Sequence, residues 1–165
     1  MKNVFRLVLL AVTAALGFWL WTLLFPSPEK LVLRKISSLA TTATFTAADG
    51  NITRAAKVAN LIGFFAVDTE IHFDAPGQAG RTLSGRDEIR DAARGGFTSV
   101  AALKVEFLDL NVRIGADRQT ADVSGTARVN AGDKKDDGVQ ELHFQLKKID
   151  GDWLITRVET VKTLQ

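Results

Sequence analysis

One uncharged apolar run near the N-terminus divides the chain into two parts that must fold in different surroundings. The run extends from Leu7 to Phe25, 19 residues without a charged side chain. Crossing the hydrocarbon core of a bilayer takes about 20 apolar residues of helix, whereas a helix that is apolar on every side is unusual within a small domain. The sequence therefore predicts one transmembrane helix in residues 1–25, with residues 7–25 in the membrane, and one domain in residues 26–165.

A cleaved signal peptide is the alternative interpretation of the same segment. Such peptides have a shorter apolar region, typically about 7–15 residues, which ends at a site of small residues. The Val-Thr-Ala of residues 12–14 has this character, but cleavage there would leave residues 18–25, with Trp19 and Trp21, at a new N-terminus. The two tryptophans fit better at a membrane–water interface, where amphipathic rings are favoured.

Basic residues flank the apolar run on both sides, so charge alone does not orient the predicted helix. Lys2 and Arg6 precede the run, and Lys30, Arg34 and Lys35 follow it. A short N-terminal tail followed by most of the chain favours an N-terminus inside the cell and a domain outside. We therefore expect a single-pass membrane protein whose domain lies on the extracytoplasmic (periplasmic) side.

The composition of the domain argues against several functional classes. The chain has 21 Lys and Arg and 19 Asp and Glu, and since Lys2 and Arg6 belong to the N-terminal segment, the domain is formally neutral. A neutral domain lacks the basic surface of nucleic-acid-binding proteins. Without cysteine there is no disulfide or thiolate site, and two histidines outside any H-E-x-x-H pattern predict no metal centre. The dinucleotide fingerprint is absent, and no cofactor is expected.

Three helices are predicted by apolar residues that recur at helical spacing. Ser27 and Pro28 are typical of a helix start, Asn51 is expected to cap the second helix, and Ser84 opens the third with a capping-box pattern. Glycines at positions 50, 63 and 95–96 are expected to end the three helices. The inward faces are predicted at Ile36, Leu39, Ala40 and Ala43; at Ile52, Ala55, Ala56 and Ala59; and at Ile89, Ala92 and Ala93.

Strands are predicted by alternation of apolar and polar residues. Residues 67–73 form the first, with Val67, Thr69, Ile71 and Phe73 inward, and a short strand is expected at the end of the following loop, near residue 82. Residues 102–114 form a long strand whose apolar face changes near Phe107-Leu108, which indicates a bulge. Residues 121–130, 139–149 and 153–161 follow, and Asp150-Gly151 is a strong hairpin turn. This order predicts an α+β fold, an antiparallel sheet with helices on one face.

The pattern resembles the nuclear transport factor 2-like superfamily, in particular its SnoaL-like branch. The resemblance is carried by residues 64–68 (FFAVD), 83–89 (LSGRDEI) and 141–161, which include the sequence DGDWLI at 150–155. It implies a cone-shaped, cystatin-like fold in which three helices pack into a curved, mostly antiparallel sheet. Relatives use the cone as a pocket for isomerases, dehydratases, cyclases and hydrolases or for plain binding, and membrane-tethered relatives include scaffold subunits of secretion machines. Fold alone therefore does not decide function.

Three residues are candidates for proton-transfer chemistry, which needs an inward carboxylate or imidazole in an altered environment. Asp68 lies on the first strand in a row with Glu70, His72 and Asp74. Asp109 follows the predicted bulge, where its apolar neighbours are expected to desolvate it. His143 lies on the next-to-last strand. Each is matched by a simpler interpretation, that of a solvated residue on the exposed side of the sheet.

A ligand-binding group is predicted around His143. Glu141 shares its strand face, and Arg157 and Glu159 lie on the last strand, which is expected to pair with it. Together these side chains could orient a small acid. The alternative is ordinary cross-strand charge pairing, worth only about 0.2–1 kcal/mol per pair.

The sequence leaves three functions open. The leading hypothesis is a non-enzymatic envelope domain that binds a small hydrophobic ligand or a protein partner, with a homodimer through the sheet face as one such partnership. The alternatives are a small pocket enzyme of the isomerase, dehydratase or hydrolase type and a scaffold subunit of an envelope complex. A deep apolar cone with one buried ionisable group would favour the enzyme; a cone filled by its own side chains would favour interaction or scaffolding.

Carbonate extraction of membranes tests the predicted anchor. The full chain with a C-terminal tag is expected to remain in the membrane pellet, because a spanning helix is not released at high pH. Mass spectrometry of the extracted protein should find an intact N-terminal segment. Release into the supernatant, or a mature N-terminus beyond Ala14, would contradict the anchor.

Overall fold

Three helices and six strands make up the domain. The computed structural model describes residues 12–13, 15–17, 19, 26–74, 80–132 and 138–161. The helices are α1 (Pro28–Ala43), α2 (Asn51–Ile62) and α3 (Gly85–Ser99). The strands are β1 (Phe65–Phe73), β2 (Arg81–Ser84), β3 (Leu103–Ile114), β4 (Thr120–Ala131), β5 (Gly138–Ile149) and β6 (Asp152–Thr160).

The six strands form one mixed sheet in the order β2-β1-β6-β5-β4-β3. All neighbours are antiparallel except β1 and β6, which run parallel. The helices contact one side of the sheet, as predicted for the α+β fold. Most of the predicted membrane anchor lies outside the described residues; those described within it are helical and exposed. Within the described part of the chain, no helix has the length and apolar character needed to span a membrane.

Helix α1 follows its predicted start and face but ends earlier than expected. The Ser27 hydroxyl accepts a hydrogen bond from the Lys30 amide at 3.4 Å, and Pro28 is the first helical residue. The buried residues include Ile36, Leu39 and Ala40, as predicted. The helix ends at Ala43 rather than at residues 49–50, because Phe45 turns into the core and exchanges backbone hydrogen bonds of 2.8 and 2.9 Å with Leu103.

The predicted inward face of α2 is wrong. Ile52 is 89% exposed, and Ala55, Ala56 and Ala59 are exposed as well, while Val58 and Ile62 are buried. The buried side has its own apolar residues at helical spacing, Val58, Leu61 and Ile62, whose side chains are larger than the three alanines of the predicted face.

Arg54 adds polar contacts to the face of α2 that packs against the domain. Its guanidinium donates to the carbonyls of Phe97 at 2.9 Å and Val100 at 3.1 Å, and its carbon centre lies 4.5 Å from the centroid of the Phe45 ring. These bonds join α2 to the end of α3. They satisfy carbonyls that a helix end leaves without partners.

Helix α3 continues through the two glycines predicted to end it. Phe97 is buried and packs on the Phe45 ring with centroids 4.6 Å apart, so the helix extends to Ser99. At its start the Ser84 side chain makes no cap bond; instead the Glu88 carboxylate accepts from the Ser84 amide at 2.8 Å.

One apolar row crosses the inner side of the sheet, with one residue from each strand. Its members are paired in register and are buried or packed on the main core: Leu83, Ile71, Val158, Phe144, Val123 and Val112. The predicted inward positions Val67 and Phe73 are wrong, since they are 72% and 44% exposed. The pairing of β1 with β6 is irregular between Phe65 and Glu70, and this shift buries Phe65 and Ala66 instead.

The predicted bulge in β3 is present at Asp109-Leu110, directly after the expected Phe107-Leu108. Leu108 pairs with Thr126 and Asn111 with Ser124, so Asp109 and Leu110 together face Gly125. Asp109 has a φ of 52°, a conformation that aspartate tolerates better than most residues. A Cβ at Gly125 would lie 2.7 Å from Leu110 Cδ2 and 3.0 Å from Leu108 O, so the bulge requires glycine opposite it.

The turn between β5 and β6 also matches its prediction. Asp150 and Gly151 have φ values of 51° and 92°, as a two-residue hairpin turn with two positive φ angles requires. Trp153, the second residue of β6, is buried in the main core as expected, with 5% exposure.

A buried threonine hydroxyl fixes the junction between β1 and β6. Thr69 is fully buried, and its hydroxyl lies 2.6 Å from the carbonyl oxygen of Ile155 and 2.9 Å from that of Ala66. The junction joins the helical N-terminal half of the domain to the C-terminal strands. The Thr69 hydroxyl lies where the pairing of β1 with β6 is irregular.

Thr69→Val is expected to destabilise the domain by about 1–3 kcal/mol, because the side-chain shape is kept while two buried carbonyls lose their donor. Urea unfolding monitored by circular dichroism measures the loss. The same substitution at the half-buried Thr126 is the matched control and should stay within about 0.5 kcal/mol. Equal effects at the two positions would show that the Thr69 hydroxyl has no special role.

Candidate functional site

The core between helices and sheet is packed by the domain's own side chains, and an apolar cleft of about 410 Å³ opens at one edge between α1 and β3. Phe107 meets Phe144 edge to face at 5.4 Å, and both belong to the contiguous core. Within the described ranges, Thr69 is the single polar or charged residue that is buried. The largest fully buried side chains besides Thr69 are Phe45, Ile36, Leu146, Ile155, Val32 and Val123.

This filling has a direct chemical consequence. Proton transfer inside a pocket needs an ionisable group held away from water, and across residues 26–74, 80–132 and 138–161 every ionisable side chain reaches the surface at least in part. The described interior therefore provides apolar packing and no acid–base pair.

Asp109 and Asp68, two of the three catalytic candidates, lie apart on the surface. Asp109 is exposed at the bulge, so the expectation that its apolar neighbours desolvate it is wrong: the positive φ turns the residue out of the core. Asp68 is exposed in the segment of β1 where pairing with β6 is interrupted. Neither residue faces the interior.

The parallel pairing of β1 with β6 brings two separately predicted groups together. Glu70 lies in register with Arg157, and His72 with Glu159. His143 on β5 is also in register with Glu159. Glu70 and His72 were predicted in one group and His143, Arg157 and Glu159 in another, because nothing in the sequence shows that strands so distant along the chain are neighbours.

The strand register forms two polar rows on the face of the sheet opposite the inner apolar row. One polar row lies one residue before the apolar row along β1, and the other lies one residue after it. We call the face that carries them the outer sheet face. The first outer row, in strand order from β2 to β3, is Ser84, Glu70, Arg157, Gln145, Asp122 and Arg113. The second outer row is Thr82, His72, Glu159, His143, Ser124 and Asn111.

Arg157 is the centre of the contacts on this face. Its Nε lies 2.5 Å from Glu159 Oε1, and its Nη1 lies 3.8 Å from Glu70 Oε2. Glu70 Oε2 in turn lies 3.5 Å from His72 Nε2, while His72 Nδ1 lies 2.8 Å from Thr82 Oγ1. The Arg157 side chain is 41% exposed and that of Glu70 is 50% exposed, so water screens these pairs.

His143 continues the network on the other side of Glu159. Its Nε2 lies 3.6 Å from Asp122 Oδ1 on β4. Glu141, also predicted for this group, is in register with Thr126, outside the two outer rows, and its backbone carbonyl accepts from Val161 at 2.9 Å. The predicted group of His143, Arg157 and Glu159 is thus brought together, with Glu70, His72 and Asp122 added and Glu141 outside it.

Carboxyl groups with a lowered pKa lie in turns and at a helix start, away from this network. A hydrogen bond from the Thr46 backbone, with Lys57 3.1 Å away, lowers the pKa of Asp49. The Gln119 backbone lowers the pKa of Asp117 in the β3–β4 turn. These carboxylates stabilise local backbone. The outer sheet face itself offers charged and polar groups for binding.

A polar cleft of about 410 Å³ opens at the end of the second outer row. It is lined by His72, Asp74, Arg81, Thr82 and Glu159, among others. No group of three His, Asp or Glu side chains in the part of the chain that the structure describes could hold a metal ion.

Comparison with known proteins shows the fold. No protein-family model and no curated protein matches the chain. A nuclear transport factor 2-like protein of unknown function from Pseudomonas putida superposes with a TM-score of 0.64 at 16% identity, covering 83% of this chain and 87% of its own. A nuclear transport factor 2-like protein with a cystatin-like fold from Novosphingobium aromaticivorans has a TM-score of 0.62 at 15% identity and coverages of 90% and 86%.

A candidate scytalone dehydratase from Novosphingobium aromaticivorans is a third structural neighbour. Its TM-score is 0.61 at 16% identity, with coverages of 82% and 83%. The chain therefore has the cystatin-like, nuclear transport factor 2-like fold, with a curved mixed sheet of six strands. Identities this low establish the fold and leave the activity to the residues of the site.

Replacing the central arginine of the outer sheet face should cost little stability. Arg157→Ala removes ion pairs that are about half exposed, and such pairs contribute about 0–1 kcal/mol. Denaturant unfolding at low and high salt measures the change. A loss above about 3 kcal/mol would show that the network holds the fold together and is not available for binding.

Proposed function

We propose that the chain is a membrane-anchored interaction domain of the nuclear transport factor 2-like fold, which binds a protein partner through its outer sheet face and is not an enzyme. The observation that carries this proposal is the filled interior, in which Thr69 is the one buried polar residue within the described ranges. A binding function then has to use the surface.

The outer sheet face is the surface best suited to a protein partner. Its two rows carry both signs of charge, with Arg157 2.5 Å from Glu159 and 3.8 Å from Glu70, and most of their side chains are exposed. Arrays of this kind give an interface its specificity and orientation more than its affinity. A scaffold subunit of an envelope complex would use the same surface, and the present proposal includes that role.

The anchor remains part of the proposal. Helix α1 begins at Pro28, directly after the apolar run that ends at Phe25, so an anchored domain would stand close to the bilayer. The domain is proposed to lie on the periplasmic side.

A pocket enzyme is the alternative, and it requires a feature that the described residues lack. It would need an ionisable group turned into the cone, whereas Asp68 and Asp109 are exposed and His143 lies on the outer sheet face. A small hydrophobic ligand would have to use the apolar clefts at the edges of the core, one between α1 and β3 and one between α2 and α3, since core side chains fill the centre.

Xenon titration followed by methyl NMR tests the filled interior. Residues 26–165 contain both apolar clusters, and their core methyl groups, including Leu146 and Ile155, are expected to show no saturable shift. Leu146→Ala is the positive control, since an engineered apolar cavity binds xenon or benzene. Saturable binding to the unaltered core would show an internal ligand site and overturn the proposal.

A further inference from the structure

One end of the domain carries exposed basic side chains that lack an acidic partner. This end is formed by the start of α1, the β3–β4 turn and the last residues of β5. Within the described residues, five Lys and Arg side chains there are exposed and make no salt bridge, whereas Arg94 and Lys104 elsewhere on the surface are paired with neighbouring acids. We call the five the basic end: Lys30, Arg34, Arg118, Lys147 and Lys148.

Two contacts bring the start of α1 and the last residues of β5 to the β3–β4 turn. At the start of α1, the pKa of Glu29 is lowered by backbone hydrogen bonding, by Ser27 and also by the charge of Arg118 in that turn. The amide of Lys148 donates to the carbonyl of Gln119 in the same turn at 2.8 Å. The basic end is therefore one continuous surface built from three separate segments.

The helix geometry of α1 adds to the concentration of charge. Lys30 and Arg34 are four residues apart and share the exposed side of the helix. Because the Cα–Cβ bonds of a helix tilt toward its N-terminus, both side chains extend toward the start of α1. Lys35 lies beside them, with its ammonium group 4.9 Å from the centroid of the Phe64 ring.

Four carboxylates also lie at this end, and two of them are bound to their own backbone. The Gln119 amide donates to Asp117 Oδ1 at 2.9 Å, and backbone hydrogen bonding lowers the pKa of Glu29. Asp150 and Asp152 flank the tip of the β5–β6 turn. The basic side chains outnumber these acids, so the end keeps an excess of positive charge.

An exposed apolar side chain accompanies the basic end. Ile149, the last residue of β5, is 37% exposed and directly follows Lys148. Proteins that lie on a membrane surface combine apolar area placed among the headgroups with attraction of basic residues to anionic lipids. Ile149 and Lys148 supply both at one hairpin tip.

The predicted anchor ends close to this surface. The apolar run ends at Phe25 and α1 begins at Pro28, so the connection spans about 11 Å at most. Charges in water act on one another over a Debye length, about 8 Å at physiological ionic strength. The basic end of an anchored domain would therefore stay near the range in which headgroup charges attract it.

We propose that the basic end binds the acidic phospholipid headgroups of the bilayer that holds the anchor. Clusters of Lys and Arg directly beside a membrane-spanning helix recognise acidic headgroups in this way. The inference rests on the proposed function, and it adds the surface that fixes the orientation of the domain.

This orientation leaves the proposed partner surface open. With the basic end on the headgroups, the strands point away from the membrane and the outer sheet face stands upright. The two outer rows cross the strands, so they would run parallel to the bilayer. A tethered domain without this contact would rotate about its short connection and present the outer sheet face at no fixed angle.

Headgroup quenching in lipid nanodiscs tests the contact on the full chain. The chain has no cysteine, so Ala116→Cys places a single fluorophore in the β3–β4 turn, and Ile52→Cys places one at the 89% exposed residue near the start of α2, at the other end of the domain. A nitroxide on the lipid headgroup should quench the label at residue 116 in discs of phosphatidylcholine and phosphatidylglycerol mixed two to one. Quenching should be lost in discs of phosphatidylcholine alone and at high salt, and the label at residue 52 should stay unquenched throughout.

Charge reversal identifies the residues responsible. Lys147→Glu with Lys148→Glu is expected to lower the ratio of bound to free domain by at least about tenfold, because each basic residue near an acidic surface contributes about fivefold. Lys104→Glu with Arg128→Glu is the matched control. It makes the same charge change at the far end of the β3–β4 hairpin, about 30 Å away, and should leave quenching unchanged.

Circular dichroism shows whether each variant is folded, and the salt and lipid comparisons use unaltered basic residues in any case. Quenching at residue 116 that is equal in both kinds of disc, or absent from both, would overturn the inference, and so would equal losses in the two double variants. A chain that fails to co-elute with the discs would contradict the anchor itself and the inference with it. Co-elution without lipid-dependent quenching would contradict the inference alone.

Discussion

The parallel junction between β1 and β6 is the contact on which the remaining structure depends. Every other pair joins two antiparallel strands that follow each other in the chain. The β1–β6 pair instead joins distant segments, and its bonded residues Thr69 and Ile155 are 86 positions apart in the sequence. Without this junction the sheet would divide into β2-β1 and β6-β5-β4-β3. The helices would then cover two separate sheets with an open seam between them. The Thr69 hydroxyl, which lies within hydrogen-bonding distance of the carbonyls of Ala66 and Ile155, joins β1 to β6 where their pairing is irregular.

Local features of the fold could be predicted from the sequence because their causes are local. The Ser27-Pro28 start of α1 depends on adjacent residues, and so do the Asp150-Gly151 turn and the face change that marks the β3 bulge. The face of α2 was predicted wrongly because the sequence offers two apolar rows at helical spacing. The predicted row has Ile52 and three alanines, whereas the buried row has the larger Val58, Leu61 and Ile62. The bonds of Arg54 to the carbonyls of Phe97 and Val100 at the end of α3 add to the packing of this second row.

The candidate site was predictable only in pieces for the same reason. The sequence singled out His143, Arg157 and Glu159 from the β5–β6 hairpin, and separately the row of Asp68, Glu70, His72 and Asp74 on β1. Glu70 and His72 join the first group only through the parallel pairing of β1 with β6. Asp109 was ranked as a buried base, but the bulge that made it a candidate is also what exposes it.

The core and the outer sheet face are built by the same strand register in this domain. The inner apolar row through Ile71, Val158 and Phe144 lies between the two outer rows, one residue away on each side. A slip of one residue at the β1–β6 junction would move Ile71 and Val158 out of pairing, and it would also separate Glu70 from Arg157. The charge order of the outer face is therefore as well defined as the core beneath it. A partner of the kind proposed would recognise this order, and its binding would then depend on the register of the whole sheet without any contact to the interior.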